Sequence, residues 1–556
     1  MGTITPDTVL LNGRVYPVDR DFTVTEAVAV LGERIIASGS TDRVRSLAGT
    51  DTRVVDLEGR TVVPGFMDCH LHPVYSGKNL LQVQLTGCKT MGEVLERIRS
   101  RTEQLPPGEW FRGSNHWSVD ELEEGRLPYR HELDRVAPRN PFWVNVAFHR
   151  ATANSLALQA AGIGEDTPEN WGTGYVFKDP ETKQPNGHLL ETAMFAVMQA
   201  ERQETVVEIL QGIELVQDLL LRNGITSVID QGDVGPPFRN FRLLQDLWRR
   251  GRLRVRWRVN HIGFEMADMP VEQIPAHVES LRVISGFGDS WLRFGAIGEL
   301  VLDGFIEDAW DRQPYAEDVF GPGWCGIALY PPDTVMAICR AAAANGLQMN
   351  VHCSGDAALD LALEAFETVH RETPIDGLNW TLEHGGLAPT ERNLDQCRRM
   401  GVWVSTQQPL QYWHNAGIRR YMGDRAAAYF PNRTWLGAGI PLRGGSDFDT
   451  APLSPLVGMW TAVARTTVTG DIIAPGEAIS REEALRMYTS SAAASVFEDR
   501  DKGSIEAGKL ADLAVLSGDP MTVPDDDLPR ISVVATMVGG RPAFDPEGLI
   551  GGRAEG

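Results

Sequence analysis

The middle of the chain alternates between helix-like and strand-like segments, and this alternation restricts the fold more than any other feature. Residues 207–223 carry an apolar helical face that ends at Gly224, and residues 225–230 then form a β-branched, strand-like run. The same helix–strand unit recurs at 333–352, 356–384, 389–406 and 437–447. Helices and strands that alternate through short links form parallel βα units, so this region predicts a (β/α)8 TIM-like barrel within the α/β class.

Both ends of the chain have a different pattern, with short β-branched runs separated by Gly, Asn and Asp. We therefore predict one small composite β-sandwich built from residues 1–63 and 497–546, with the barrel at 64–496. Residues 73–206 lack the helix–strand alternation and are rich in Trp, Pro and Gly. Because they follow the first barrel strand, we expect them to form an insertion that caps the barrel mouth.

Two histidines follow a Pro64-Gly65 break, in the segment His70-Leu71-His72. On a strand, alternate side chains point to the same face, so both imidazoles converge on one point. Two convergent neutral imidazoles are suitable ligands for a divalent transition metal ion. The alternative is a pair of histidines that make ordinary hydrogen bonds at a strand end.

Three further metal-type side chains favour the metal site over that alternative. His352, His384 and Asp447 each fall at the carboxyl end of a predicted barrel strand. In a (β/α)8 barrel these ends form one face, where active sites lie. Together with His70 and His72, they predict a metal centre in the barrel mouth.

Amino-acid composition limits the kinds of binding partner and the cell compartment that we expect for this protein. The chain has 52 basic and 75 acidic residues, a formal net charge of −23, which argues against nucleic acid or an anionic membrane as the main partner. No apolar run is long enough to span a bilayer, and the first residues lack the pattern of a signal peptide. The 6 cysteines are scattered without CxxC spacing, which is typical of reduced cysteines in a cytoplasmic protein.

Several motifs together resemble one enzyme family. They are His70-Leu-His72 after Pro64-Gly65, Val351-His-Cys-Ser-Gly-Asp356, Leu382-Glu-His384 and Gly445-Ser-Asp447-Phe, supported by segments 148–158 and 503–512. This set resembles the amidohydrolase superfamily, specifically the amidohydrolase-3 branch of YtcJ-like metal-dependent hydrolases, which includes N-substituted formamide deformylases. The resemblance implies a metal-bearing barrel with a β-sandwich made from both chain ends, and for oligomeric state we expect a homodimer.

One position departs from the family pattern. The branch usually has a lysine in the strand before an Asp-Gly pair, where a carboxylated lysine can bridge two metal ions. Here Glu299 takes that place, ahead of Asp303-Gly304. We expect Glu299 to supply the bridging carboxylate itself, although its shorter reach leaves open whether one or two ions bind. The alternative is a glutamate that only forms a salt bridge at a strand end.

The predicted activity follows from these ligands. We expect a divalent metal ion, zinc in the first instance, held by His70, His72, Glu299, His352, His384 and Asp447. Asp447 is the predicted proton shuttle, and His384 is either a ligand or an oxyanion-stabilising residue. The resemblance implies hydrolysis of an amide or formamide C–N bond in a small molecule. Trp and Phe residues in the cap favour a partly aromatic substrate.

Weaker candidates and alternative functions remain open at this stage. His149 and Asn154 are candidate substrate-binding residues, although capping hydrogen bonds explain them equally well. His116 and Trp117 are candidates for the same role, although aromatic clusters more often pack in a core. Alternative reactions within the same superfamily are ester or lactone hydrolysis, deamination and decarboxylation. A barrel that binds metal but has lost catalysis is the alternative from a different class.

Overall fold

Eight parallel strands form a barrel-like sheet at the centre of the computed structural model, which describes residues 5–232, 239–317 and 320–552. In chain order these strands, β1 to β8, are Phe66–Leu71, Ile225–Asp230, Arg256–His261, Leu292–Val301, Met349–His352, Thr381–Glu383, Trp403–Thr406 and Leu442–Gly444. Each pairs in parallel with the next. The segment after β8 returns to β1, where the Asp447 backbone N–H donates to the His70 carbonyl at 2.7 Å. The predicted (β/α)8 architecture is confirmed.

Helices connect the barrel strands, and three more helices of the described residues follow β8. They are Val206–Arg222, Arg239–Arg249, Ile274–Ser280, Pro332–Ala344, Asp356–Glu372, Glu391–Met400, Gln408–Met422, Asn432–Gly437, Pro455–Ala464, Arg481–Met487 and Ser490–Ser495. The first begins where Thr205 and Glu208 form a reciprocal capping box, which satisfies backbone donors at the helix start. Its predicted apolar face, Ile209, Ile213 and Val216, is buried in the main core cluster. Hydrophobic periodicity therefore located this helix to within one residue.

The two chain ends form a pair of sheets. One sheet takes all its strands from the amino-terminal end: Arg34–Gly39, Ala27–Leu31, Thr8–Leu11 and Arg53–Asp56. The other combines both ends: Arg14–Val15, Thr61–Pro64, Leu513–Leu516, Val533–Val538 and Arg541–Phe544. Apolar side chains from both sheets and from Ile550 share one core cluster. This confirms a β-sandwich made from both ends; its domain boundaries at 63 and 497 stay a prediction.

The insertion after β1 is a mixed α/β unit. Its sheet contains six strands in the order Asn170–Trp171, Gly174–Lys178, Pro185–Leu190, Arg150–Ala153, Phe142–Val146 and Phe111–Arg112. Its helices are Pro73–Asn79, Met91–Thr102, Arg130–Val136, Ser155–Ala160 and Thr192–Ala200. One core cluster joins the insertion to Phe305 and Ile306 after β4 and to Trp413 after β7. Those loops lie at the carboxyl ends of the strands, so the insertion covers the barrel mouth. Among the described residues, no helix is long and apolar enough to cross a membrane.

Candidate metal centre and cavity

The carboxyl ends of five barrel strands bring the predicted metal-binding residues into one buried cluster. His70 and His72 lie at the end of β1, Glu299 lies within β4, and His352 ends β5. His384 directly follows β6, and Asp447 lies in the segment after β8. Three-residue groups drawn from these six residues have ligand atoms within 4.8 Å of one another.

Glu299 lies at the centre of the cluster and faces two pairs of histidines. Its Oε2 lies 3.5 Å from His70 Nε2 and 3.4 Å from His72 Nε2. Its Oε1 lies 2.9 Å from His352 Nδ1 and 3.1 Å from His384 Nε2. Each carboxylate oxygen of Glu299 therefore faces its own pair of histidine nitrogens.

Asp447 completes the first of these groups. Its Oδ1 lies 3.7 Å from His70 Nε2 and 3.8 Å from His72 Nε2, both too long for hydrogen bonds. Ligands about 2.0–2.1 Å from a tetrahedral zinc ion are separated by about 3.3 Å, close to the distances on this side of the cluster. Among the described residues, the fully buried His70 Nε2 has no hydrogen-bond partner. An orphaned imidazole nitrogen in a set of histidines and carboxylates fits a divalent cation.

Electrostatics of the cluster also favour a cation. Burial lowers the pKa of His70, but Glu299 and Glu383 outweigh it and raise that pKa to about 9. Burial likewise lowers the pKa of His72, while Glu299 and Asp447 raise it to about 10. The carboxylates thus favour positive charge at the position that a divalent ion would take. Burial, with repulsion from His352, lowers the pKa of His384 to about 4, so its imidazole is neutral and able to bind metal.

Buried hydrogen-bond partners behind the cluster determine which nitrogen of His70 and of His72 faces the cluster. His70 Nδ1 donates to Glu383 Oε2 at 2.7 Å, and His72 Nδ1 donates to the Gly232 carbonyl at 2.9 Å. Arg443 Nη2 donates in turn to Glu383 Oε1 at 2.5 Å, and both side chains are buried. With Nδ1 occupied as a donor, Nε2 of each histidine presents a lone pair to the cluster.

Two glycines permit the close approach of strands at the cluster. A Cβ added at Gly298 would lie 2.2 Å from the Asn350 carbonyl oxygen, and the φ angle of Gly298 is +137°. A Cβ added at Gly445 would lie 2.7 Å from the backbone nitrogen of His70. Only glycine fits at these two places, which keep Glu299 against β5 and Asp447 against β1.

A cavity of about 880 Å³ opens onto the metal cluster. His72, Glu299, His352, His384 and Asp447 form its inner end. Its wall contains the aromatic side chains of Phe148, Phe195, Phe264 and Tyr330 together with charged residues such as Arg112, Arg202 and Glu265. The Phe148 ring stacks on the His72 ring at 6.2 Å between centroids, with an interplanar angle of 8°. The cavity therefore joins a metal-type cluster to an aromatic compartment of drug-molecule size.

Only one of the four predicted substrate-binding residues lines this cavity. His149 belongs to its wall. Asn154 is fully buried: its Oδ1 accepts from Phe142 N and Ala157 N, and its Nδ2 donates to two backbone carbonyls. Its polar atoms make the capping and loop hydrogen bonds that were the alternative to a substrate contact, and Asn154 is not among the residues that line the cavity.

His116 and Trp117 also lie outside the cavity lining. The His116 ring packs against Trp413 and Phe448, with centroids 4.7 and 4.9 Å away, and burial lowers the pKa of His116 to about 4. Trp117 is 1% exposed and donates its indole N–H to the Asn145 carbonyl at 3.0 Å. Both residues are therefore packed in the core of the protein in this structure, which was the alternative to a substrate contact.

Sequence reasoning missed several residues that build the site. Glu383 and Arg443 occur in short buried strands, and a charged residue in such a strand signals a buried partner, but the sequence does not identify which one. Glu191 and Asp308 are far apart in the chain and meet only beside His149. No local signal identifies such a pair.

Comparisons with known proteins agree with this arrangement. A model described as "Amidohydrolase family" matches residues 53–544. N-substituted formamide deformylase of Arthrobacter pascens is 32% identical over 546 residues, covering 96% of this chain and 97% of that protein. Putative amidohydrolase YtcJ of Bacillus subtilis (strain 168) is 28% identical, covering 96% of this chain and 98% of that protein. The crystal structure of an uncharacterised metal-dependent hydrolase from Pyrococcus furiosus, at 27% identity, matches with a TM-score of 0.68 over 93% of this chain and 100% of that one.

Proposed function

Because this chain belongs to the amidohydrolase family and is a metal-dependent hydrolase of C–N bonds, we propose that it cleaves an amide or formamide bond of a small aromatic molecule. The observation that carries the proposal is Glu299, whose two oxygens each face a pair of histidines at the inner end of the cavity. A formamide substrate is supported by the 32% identical relative, which is an N-substituted formamide deformylase.

The residues present fit two divalent ions, with zinc as the proposed metal. His70, His72, Asp447 and Glu299 would hold one ion, and His352, His384 and Glu299 would hold the other. Histidine nitrogens and carboxylate oxygens are common zinc ligands. When bound, such ions lower the pKa of water and polarise a carbonyl group.

Asp447 is the proposed proton shuttle. Its side chain is 12% exposed and lines the cavity, and its backbone is fixed by the hydrogen bond to the His70 carbonyl. The carboxylate accepts a proton as the oxygen of water bonds to the substrate carbonyl carbon. It returns that proton to the leaving nitrogen as the C–N bond breaks, so the amine leaves neutral and the carboxyl product forms.

The cavity wall supports an aromatic substituent on the substrate. Phe148 and Phe195 contact each other edge to face, with centroids 5.9 Å apart, and the Phe264 ring lies tilted to Phe195 with centroids 6.0 Å apart. An apolar or aromatic group on the leaving amine would pack among these rings.

Metal analysis and a substrate panel test the proposal. Purified protein should contain about two zinc-like ions per chain, and a panel of N-aryl and N-benzyl formamides, acetamides and matching esters should show preference for the amides. Removal of metal by chelation should abolish hydrolysis, and added zinc should restore it. Faster ester or lactone cleavage, deamination or decarboxylation would replace the proposed reaction with another of the superfamily. Full activity after chelation would refute metal dependence.

Glu299→Gln tests the bridging role directly. This substitution keeps the shape of the side chain but removes the negative charge that two cations share, so we expect metal content below one ion per chain. Glu307→Gln is a matched control, because Glu307 is also buried but pairs with Arg150 at 2.8 Å and is outside the metal-type groups. Equal metal content in the two variants would contradict the bridging role.

A further inference from the structure

A hairpin of the insertion places His149 against the metal cluster. The hairpin strands are Phe142–Val146 and Arg150–Ala153, and residues 147–149 form its tip. Ala147 and Phe148 both adopt left-handed backbone conformations, with φ angles of 52° and 62°. Non-glycine residues rarely adopt this conformation, and such residues cluster at functional sites. The turn directs consecutive rings to two sides of the cluster: Phe148 stacks on His72, and the His149 ring lies 5.5 Å from the His352 ring.

The two nitrogens of His149 have different environments. Nδ1 lies 2.5 Å from Glu191 Oε1, a hydrogen bond shorter than the separation of two ligands on one metal ion. Nε2 makes no hydrogen bond to any residue that the structure describes, and His149 lines the cavity wall. Burial raises the pKa of Glu191 to about 8, so at neutral pH this carboxyl group is protonated and donates to Nδ1, which places the imidazole proton on Nε2. The Nε2–H edge is therefore the part of the ring that is left for a ligand.

A buried carboxyl pair supports this histidine from behind. Glu191 is 1% exposed and Asp308 is 0% exposed, and both have an oxygen within 4.8 Å of a His149 nitrogen. Asp308 Oδ1 accepts the Phe305 backbone N–H at 2.9 Å, while Oδ2 has no hydrogen-bond partner among the described residues. Glu191 itself has a left-handed φ of 46°. Two carboxyl groups and one imidazole, buried together, fix the orientation of the ring.

His149 and Asp447 approach the cavity from opposite groups of the cluster. Asp447 lies beside His70 and His72, whereas His149 packs against His352. A substrate carbonyl between them would have the proton acceptor on one side and the imidazole on the other. A hydrogen-bond donor at the position of the His149 imidazole would contact the carbonyl oxygen, on which negative charge develops during amide hydrolysis.

Building on the proposed function, we propose that His149 is a catalytic residue whose Nε2–H donates a hydrogen bond to the substrate carbonyl oxygen as it becomes negatively charged. Glu191 is the positioning residue that holds the ring through Nδ1, and Asp308 is a second buried carboxyl group beside this pair. The ligand recognised at this place is thus the oxyanion of a tetrahedral carbon, or an anionic tetrahedral mimic of it.

Kinetics of three variants test the catalytic role. His149→Leu removes the donor and should lower kcat by about 10²- to 10³-fold with little change in KM, because the contact strengthens only in the transition state. His149→Gln retains an N–H donor and should recover part of that loss. Glu191→Gln keeps a partner for Nδ1 and should fall between these variants and wild type. His188→Leu, in the same sheet but hydrogen-bonded to the Pro128 carbonyl outside the cavity lining, is the matched control and should keep the wild-type rate.

Binding of phenylphosphonate to zinc-loaded protein gives a second readout that does not depend on activity. Phenylphosphonate carries anionic oxygens in a tetrahedral arrangement, and loss of one charge-assisted hydrogen bond should raise its Kd about ten- to a hundredfold in His149→Leu. Zinc content should stay unchanged. Equal phenylphosphonate affinity in wild type and His149→Leu, no binding to wild type, or loss of zinc in His149→Leu would each overturn the inference. A wild-type protein that cleaves no amide but cleaves a matching ester, with kcat lowered in His149→Leu, would refute the proposed function and leave the oxyanion contact of His149 standing.

Discussion

Replacement of Glu383 by glutamine should weaken both the fold and the metal centre. Glu383 Oε2 accepts from His70 Nδ1 at 2.7 Å, and Oε1 accepts from Arg443 Nη2 at 2.5 Å and from Gln231 Nε2 at 3.1 Å. Glutamine has nearly the same shape but only one oxygen. Either His70 or Arg443 therefore loses its acceptor, and the buried guanidinium is left without a neutralising charge.

Two magnitudes follow from this geometry. Both side chains of the Glu383–Arg443 pair are at most 1% exposed, and breaking a buried pair by removing one partner costs about 3–5 kcal/mol of unfolding free energy. If the remaining oxygen of the glutamine side chain stays with Arg443, its amide N–H donates to His70 Nδ1, and the proton of His70 moves to Nε2. That tautomer cannot bind metal through Nε2, so metal affinity should fall about 10- to 100-fold, equivalent to about 1.4–2.7 kcal/mol.

The double variant Glu383→Gln/Arg443→Met separates the two effects. Removing the guanidinium as well leaves no uncompensated charge, so we expect the double variant to regain about 2 kcal/mol or more of the stability lost by Glu383→Gln. Metal affinity should stay below wild type, because the glutamine oxygen that can now accept from His70 Nδ1 carries no negative charge. Urea unfolding of the metal-free proteins measures the first effect, and competition with a chromogenic chelator measures the second.

The pH dependence of the same variant has a defined sign. Burial raises the pKa of Glu383, but Arg443 and His70 outweigh it and hold that pKa at about 2, below the value of about 4.3 in an unfolded chain. The stabilisation is therefore complete above about pH 4.3 and is lost as pH falls toward 2. The stability difference between wild type and Glu383→Gln should shrink over that interval. Wild-type metal affinity in Glu383→Gln, or a double variant no more stable than the single one, would refute the reasoning.

Three further predictions concern activity and the structural groups around the cavity. Asp447→Asn should lower kcat by about 10²- to 10⁴-fold, because the proton shuttle is lost, while metal analysis finds most of the metal still bound; a parallel loss of metal and rate would make Asp447 chiefly a ligand. Phe195→Ala opens the aromatic wall and should lower kcat/KM for N-benzyl amides about tenfold or more relative to N-methyl amides. Phe177→Ala, a cap variant whose ring packs on Tyr175 and Phe320 outside the cavity lining, should leave that ratio unchanged, and an equal change in both variants would assign a structural role to the wall. Gly445→Ala places a Cβ 2.7 Å from the His70 backbone nitrogen, so zinc affinity should fall even though no ligand is changed, as equilibrium dialysis would measure.

Local patterns determined the elements of the barrel and the positions of most predicted metal-binding residues. Apolar periodicity placed the helix Val206–Arg222 and the strand after it, and short links between such units require parallel strands. Once the strands are parallel, residues at their carboxyl ends must share one face. His70, His72, His352, His384 and Asp447 were therefore grouped from sequence without any knowledge of distance.

At Glu299 the local sequence determined the residue type, and tertiary structure determined which residues its carboxylate faces. The sequence placed a carboxylate in the strand where the family pattern has a lysine, and it left open both its reach and its role. The packing of neighbouring strands determines whether the Glu299 side chain is long enough. Because Gly298 has no Cβ, β4 lies close to Asn350, and Glu299 then faces both histidine pairs. This depends on contacts between residues 52 positions apart (298 and 350), which no local pattern encodes.

The surroundings of the cluster were decided by tertiary structure alone. Asn154 and Trp117 have the chemistry of substrate-binding residues, yet buried hydrogen bonds use their polar atoms inside the insertion. His149 has the same kind of local signal and reaches the cavity, because a left-handed hairpin tip turns it toward His352. Residue type sets what a side chain can do, whereas the packing of distant segments sets what it meets, and only the second distinguishes these residues.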